Sequence, residues 1–143
     1  TPTSSSAASD VYKRQFATRL WQNNSKVHFD INAREDKKRL IYGGHIISLV
    51  RSLSFNGLEN AQLIVGINGG THANPVFAED TIYCWSEVLD KIDLNFRNIA
   101  ALRLRSVGTK EKNHNMRLKS DDGKYLPTIV LDFDYWVLVP REL

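Results

Sequence analysis

The sequence predicts an α+β fold in which a curved antiparallel sheet wraps round one central helix. Two features of the sequence carry this prediction. The helical spacing of apolar residues is strongest between Gly44 and Phe55, and after residue 60 the pattern changes to the alternation typical of strands. Consecutive short loops join these strands, whereas parallel strands need crossovers of about a dozen residues or more.

The central helix is defined by apolar residues three and four positions apart. These are Ile46, Val50 and Leu53 on one face, with Ile47 and Leu49 beside them. The width of this apolar surface predicts a helix that is buried on most sides. Gly43–Gly44 is expected to open the helix. Asn56–Gly57 is expected to close it, because glycine can adopt positive φ at the end of a helix.

About four strands are expected after the helix. They are residues 62–67, a run that begins at 80–81, residues 99–107 and residues 128–139. Gly69–Gly70 is expected to break the first strand, and Pro140 to end the last. Alternate residues of the last strand share one face: Ile129, Leu131, Phe133, Tyr135 and Val137. The polar segment Lys110–Lys124 ends in Asp121-Asp122-Gly123, which is typical of a hairpin loop.

Length and composition bound the class of protein. The 143 residues suit one domain, and the net charge of +3 is too small for the basic stripe of a nucleic-acid binder. The one cysteine, Cys84, excludes an intrachain disulfide and a multi-cysteine zinc site. No apolar run approaches a membrane span, and no signal-peptide pattern occurs. We therefore expect a cytoplasmic domain with neither nucleic-acid nor membrane partners.

Residues 1–15 are expected to lie outside the fold. They consist of a Ser/Ala/Thr run followed by Asp10–Gln15, and show no periodicity. The string SSAASDVYKRQ resembles the translation of a transposase-type sequencing adaptor, and a disordered native tail is the alternative. The folded part is then expected to comprise residues 16–143, and the natural chain to extend further at its N-terminus.

Of the four histidines, His28 is the strongest candidate for chemistry. It follows the amide and hydroxyl side chains of Gln22–Ser25 and precedes Asp30 by two residues. A histidine among polar groups can orient a water molecule and carry its proton, although a purely structural histidine is the alternative. The others are expected to be exposed or to pack: His45, His72 and His114. None has metal-ligand spacing, so no metal site is predicted.

Two glycine-containing segments could bind anions. Gly43–Gly44 would leave backbone N–H groups unhindered at a helix N-terminus, where a developing oxyanion could bind, and close packing is the alternative. The segment Gly66–Gly70 lacks the Gly-Lys-Ser/Thr ending of a phosphate loop and is not followed by a helical pattern. It is expected to form a bulge or turn.

Several longer strings carry a resemblance to a known family. They are Trp21–Phe29, Tyr42–Leu49, Arg51–Leu58, Asn74–Tyr83, Trp85–Lys91, Ala101–Arg105 and Leu131–Tyr135. In order and spacing they resemble the C-terminal part of a hydratase of the MaoC-like group of R-specific enoyl-CoA hydratases. The resemblance covers essentially all of residues 16–143. It implies an N-terminally truncated hot-dog fold, and a chain that would be the second half of a double hot-dog enzyme.

The resemblance also implies a reaction. It is the reversible hydration of an enoyl-CoA thioester, such as mesaconyl-CoA to a methylmalyl-CoA, with no cofactor. The implied partners are the acyl-CoA substrate and a second hot-dog domain. Placing the group's Asp-x-Asn-Pro-x-His motif on His28 puts its aspartate at Asn23. Gly43 or Gly44 falls on the group's oxyanion glycine, and Ser48 on the serine that follows it in the helix.

Two other functions remain open. A hot-dog thioesterase usually has a carboxylate on the central helix, and Gly44–Phe55 contains none. A non-catalytic domain could instead complete the acyl-CoA tunnel of the other half.

In the hydration reaction that the resemblance implies, Asn23 cannot act as a base, because its side chain is an amide. Asn23 would then position water while His28 carries the proton.

Overall fold

The computed structural model describes residues 18, 20, 22–61, 63–96, 98–112 and 116–141. Two short 3-10 turns, Lys26–His28 and Ile31–Ala33, precede helix α1 (Gly43–Leu53). Four strands follow: β1 (Leu63–Thr71), β2 (Tyr83–Phe96), β3 (Ile99–Thr109) and β4 (Ile129–Pro140). The tail expected over residues 1–15 and the loop histidine His114 lie outside the described residues. No helix in the described part of the chain is both long and apolar enough to cross a membrane.

The strands form one antiparallel sheet in the order β1-β4-β3-β2. This confirms the predicted α+β arrangement of one helix followed by antiparallel strands. β3 and β4 occupy the centre of the sheet and supply most of its buried residues. All five alternate residues of β4 that were expected to share a face are buried, from Ile129 to Val137. Pro140 ends β4, as predicted.

Strand β1 runs further than the sequence suggested. Gly69–Gly70 was expected to break it, but the strand pairs with β4 as far as Thr71. The expectation is wrong because backbone hydrogen bonding to a neighbouring strand needs no side chain. The register shifts between Ile64 and Gly66 and again between Ile67 and Gly69. The glycine-rich segment therefore contains bulges, as its composition indicated, rather than a phosphate loop.

Helix α1 packs one face against the sheet. Its buried residues are Ile46, Val50 and Leu53, and they join a core that includes Leu104 and Tyr135. Ile47 and Leu49 are only partly buried, and Ser48 is exposed. The helix is thus buried on one face rather than on most sides, because the described residues cover only its sheet side. The helix ends at Leu53, with Ser54 as its C-cap in a right-handed conformation, so the prediction that Asn56–Gly57 closes it is wrong; Gly57, at φ +90, lies in the turn that follows.

The close approach of α1 to the sheet requires a glycine on β3. A Cβ atom at Gly108 would lie 2.7 Å from Cγ2 of Val50 and 3.1 Å from Cγ2 of Val130. We expect Gly108→Ala to lower the free energy of unfolding by about 1–3 kcal/mol, because both neighbours are packed and must move. Urea denaturation would measure the change. The matched control is Gly66→Ala, whose Cβ would meet nothing closer than 3.9 Å. Equal stability of the two variants would contradict the packing.

Candidate active site

A cleft of about 330 Å³ opens at the N-terminal end of helix α1. One side consists of the 3-10 turn with His28 and the chain from Leu40 into the helix. The other side is the segment His72–Val76, which follows β1. Ile46 and Val130 contribute apolar surface from the core. The cleft therefore combines apolar walls with a few polar groups, as small-molecule sites usually do.

His28 is held in one orientation by the chain that leads into the helix. Its Nδ1 atom lies 2.9 Å from the carbonyl oxygen of Leu40, and the ring of Tyr42 meets its ring edge-on at a centroid distance of 5.9 Å. A carbonyl oxygen can only accept a hydrogen bond, so Nδ1 carries the proton. The lone pair of the neutral ring is then on Nε2, and this atom can accept a proton from water.

The start of helix α1 offers unpaired backbone donors. Tyr42 precedes the helix and makes no capping hydrogen bond with its side chain. The first helical N–H with an acceptor is that of His45, which donates to Tyr42 O at 3.0 Å. Within the described part of the chain, the N–H groups of Gly43 and Gly44 have no acceptor. These donors and the positive end of the helix dipole make the site suitable for a negatively charged oxygen.

His72 lies on the other side of the same cleft. The sequence placed it at the surface, and the residue is indeed exposed. Its ring also rests on Gly43: a Cβ atom there would lie 2.6 Å from Nε2 and 2.9 Å from Cε1. Partial burial lowers the pKa of His72 below its usual value, because it disfavours the charged form. The cleft therefore holds two imidazoles, and His72 favours the neutral state.

Asn74 fixes the segment that carries His72. Its Nδ2 group donates to the carbonyl oxygens of Leu126 at 2.9 Å and Ile129 at 2.6 Å. The neighbouring N–H of Ala73 donates to Val130 O at 3.1 Å. These bonds attach the wall of the cleft to the beginning of β4. The wall is thus positioned by the last strand of the sheet.

The structure brings together only some of the site residues that were predicted from the sequence. His28 and Gly43 line the same cleft, and Gly44 follows at the helix start. Asn23 does not line it: its Oδ1 accepts the N–H of Ser25 at 2.9 Å. The hydroxyl of Ser48 donates to Gly44 O at 2.9 Å and is exposed. The functional roles of all these residues stay predictions.

His72 and Asn74 also line the cleft, and neither was predicted from the sequence as a site residue. Both stand in the string Thr71-His72-Ala73-Asn74-Pro75, directly after β1. Polar residues in a loop that directly follows a strand were a usable signal. What the string could not show is the contact with Gly43, nearly thirty residues earlier in the chain.

A sheet folded over one helix, with a cleft where the helix begins, defines the class of fold. The chain superposes on a Mycobacterium tuberculosis protein with a double hotdog fold at a TM-score of 0.61 and 24% identity, covering 93% of this chain and 37% of the other. It also superposes on a MaoC domain protein dehydratase from Chloroflexus aurantiacus at a TM-score of 0.92 and 47% identity, covering 99% of this chain and 42% of that one. The chain therefore has the hot-dog fold, as predicted.

Two curated relatives make the similarity specific. The chain is 59% identical over 129 residues to mesaconyl-CoA hydratase of Cereibacter sphaeroides, covering 90% of this chain and 38% of the relative. It is 53% identical over 131 residues to β-methylmalyl-CoA dehydratase of Chloroflexus aurantiacus, covering 88% and 37%. The chain thus spans less than two-fifths of the length of these relatives. No family model matches it. The resemblance to a MaoC-like hydratase is confirmed.

Proposed function

We propose that the protein catalyses reversible addition of water to the double bond of an enoyl-CoA thioester, with mesaconyl-CoA as the substrate and a methylmalyl-CoA as the product. One observation carries the proposal. His28 and Gly43 line the same cleft, and among the described residues neither Nε2 of His28 nor the N–H of Gly43 has a hydrogen-bond partner. Hydration needs both a base for water and donors for the thioester oxygen. The two named relatives act in opposite directions of this type of reaction.

The first step is polarisation of the thioester. The carbonyl oxygen of the substrate accepts hydrogen bonds from the N–H groups of Gly43 and Gly44. As water attacks the β-carbon, electrons move from the double bond onto this oxygen and form an enolate. The helix dipole favours the resulting negative charge, and the apolar walls of Ile46 and Val130 strengthen the interaction by excluding water.

The proton moves through His28. Its Nε2 removes one proton from water as the oxygen bonds to the β-carbon. The imidazolium then returns that proton to the α-carbon, the enolate collapses to the thioester, and the sum of the two steps is addition of one water. The Leu40 carbonyl remains bonded to Nδ1 throughout, so the ring keeps its orientation.

Three further residues have supporting roles in this proposal. Asn23 cannot remove a proton and lies outside the cleft; its Oδ1 accepts the N–H of Ser25 and so supports the start of the turn that carries His28. Ser48 holds the first turn of the helix through its bond to Gly44 O. His72 is favoured in its neutral form beside Gly43 and orients the substrate or the water by hydrogen bonding.

The active enzyme contains a second hot-dog domain, with residues 16–143 contributing one. Exposed apolar residues on β1 support this pairing. Leu63, Val65 and Ile67 are 59%, 53% and 65% exposed, more than an isolated sheet edge usually tolerates. A partner domain would cover these side chains and the unpaired edge of the strand.

A thioesterase and a non-catalytic acyl-CoA-binding domain are the alternatives. Helix α1 contains no carboxylate over Gly43–Leu53, which leaves a thioesterase without its usual acidic group on that helix. The non-catalytic function would leave the polar pair in the cleft, His28 and the N–H of Gly43, without a purpose.

Incubation of the purified enzyme, with its second hot-dog domain present, with mesaconyl-CoA tests the proposal. We expect loss of the absorbance of the conjugated double bond and a product heavier by one water, with ¹⁸O incorporated from labelled water. Product given back to the enzyme should regenerate the substrate. Release of free CoA would instead identify a thioesterase. Saturable binding without turnover would identify a binding domain. Either result overturns the proposal.

A further inference from the structure

Three cationic side chains gather round one aromatic ring beside the cleft. The Arg34 guanidinium carbon lies 5.4 Å from the centroid of the Phe77 ring. The ammonium groups of Lys38 and Lys110 lie at 5.7 Å and 5.8 Å. These residues come from two distant parts of the chain, so the fold itself brings them together.

Two of the three cations are fixed by acidic partners. Arg34 forms a two-pronged contact with Asp36, at 3.0 Å and 2.8 Å. Lys110 lies 2.7 Å from Asp80, and Asp80 also accepts the N–H of Phe77 at 2.8 Å. Lys38 has no carboxylate within ion-pair distance among the residues that the structure describes. The cluster therefore has two cations in direct ion pairs and one ammonium group, that of Lys38, which forms no direct ion pair and interacts with Asp36 only at longer range.

The cluster adjoins the proposed active site. Phe77 directly follows Val76, which lines the cleft. The carbonyl of Val76 accepts the N–H of Ile41 at 2.8 Å, which joins this wall to the chain three residues after Lys38. The cluster therefore continues the wall of the cleft along the chain.

We infer that Arg34, Lys38 and Lys110 around Phe77 form a subsite for the phosphates of the CoA nucleotide. The inference rests on the proposed function, since it concerns the substrate of that same site. A CoA thioester carries its phosphates at the end of a long neutral arm, away from the reacting acyl group. Planar guanidinium and mobile ammonium groups are the side chains that bind phosphate oxygens best. Lys38, which forms no direct ion pair, would supply the main attraction to the phosphates, and the ion-paired Arg34 and Lys110 would fix the position of the subsite.

Two substrates and three variants test the subsite. The substrates are mesaconyl-CoA and mesaconyl-pantetheine, which shares the acyl group and lacks every phosphate. We expect Lys38→Glu to raise KM for the CoA thioester about tenfold or more, the loss expected for a charge-assisted contact, with kcat little changed. KM for the pantetheine thioester should not change. Lys38→Arg should retain the wild-type KM. The control is Lys91→Glu on β2, an equal charge change at an exposed position in another part of the sheet.

The other outcomes are also decisive. An equal rise of KM for both substrates would show that the cluster contacts the acyl carboxylate or supports the fold. No change for either substrate would show that the phosphates bind elsewhere. Should wild-type protein hydrate neither thioester, the proposed function fails, and calorimetry with adenosine 3′,5′-bisphosphate tests the subsite by itself. Binding that Lys38→Glu abolishes would keep the subsite without the hydratase, and absence of binding to wild type would overturn both.

Discussion

Replacing His28 with alanine is expected to lower kcat for hydration by about 10²–10⁴-fold, the usual contribution of a positioned acid–base group. KM should change little, because the proposed role lies in proton transfer rather than in binding. The assay is the initial rate of absorbance loss with mesaconyl-CoA. The unfolding midpoint is measured in parallel, since His28 also holds Leu40 through its Nδ1.

Added imidazole distinguishes chemistry from support. The alanine variant leaves a space in the cleft, and free imidazole should restore part of the rate if the missing group is a base. A structural histidine would give lower stability, no rescue and an unaltered rate per folded molecule. That result would mean that His28 is a structural histidine, which is the alternative that the sequence left open.

The second large effect is expected at Gly43. Its φ is not positive, so alanine fits the backbone there and should favour the helix. Its Cβ would nevertheless lie 2.6 Å from Nε2 of His72, and the imidazole must move out of place. We expect kcat/KM to fall by about 10²-fold, the effect of a displacement of about 1 Å in an active site. Stability should be unchanged or higher.

A double-mutant cycle assigns the cause. If the displaced ring is responsible, Gly43→Ala should have much less effect in a His72→Ala background, because the clash is then absent. The matched control is again Gly66→Ala, which has room for the new methyl group. Additive effects of the two changes would mean that Gly43 acts without His72. An active Gly43→Ala variant would contradict the arrangement of the cleft.

Local patterns predicted most of the fold. Apolar spacing located α1 within about two residues, and alternation located β3 and β4 nearly to their ends. The error at Gly69–Gly70 has a physical origin, since glycine is a poor residue for a strand but does not forbid pairing to β4. The extent of burial of α1 could not be predicted from periodicity, because a wide apolar surface does not reveal what covers it.

The site was predicted only in part. Residues marked by their neighbours in the sequence could be predicted, whereas contacts between distant parts of the chain could not. His28 and Gly43 could be nominated because each is marked by its neighbours, a polar run in one case and the start of a helix in the other. The contact of His72 with Gly43 and the grouping of the cations round Phe77 could not be predicted, because these partners lie far apart in the chain. Asn23 and Ser48 came from the family resemblance, and the structure shows them bonded to nearby backbone.

The two Asn74 bonds have a consequence for the order in which activity is acquired. They span 52 and 55 residues of sequence and end at Leu126, just before β4, and at Ile129, its first residue. A chain that has formed its helix and the β2–β3 hairpin, but has not yet docked β4, has only one wall of the cleft. During refolding, catalytic competence should consequently lag behind the helical circular dichroism signal and appear together with the docking of the last strand.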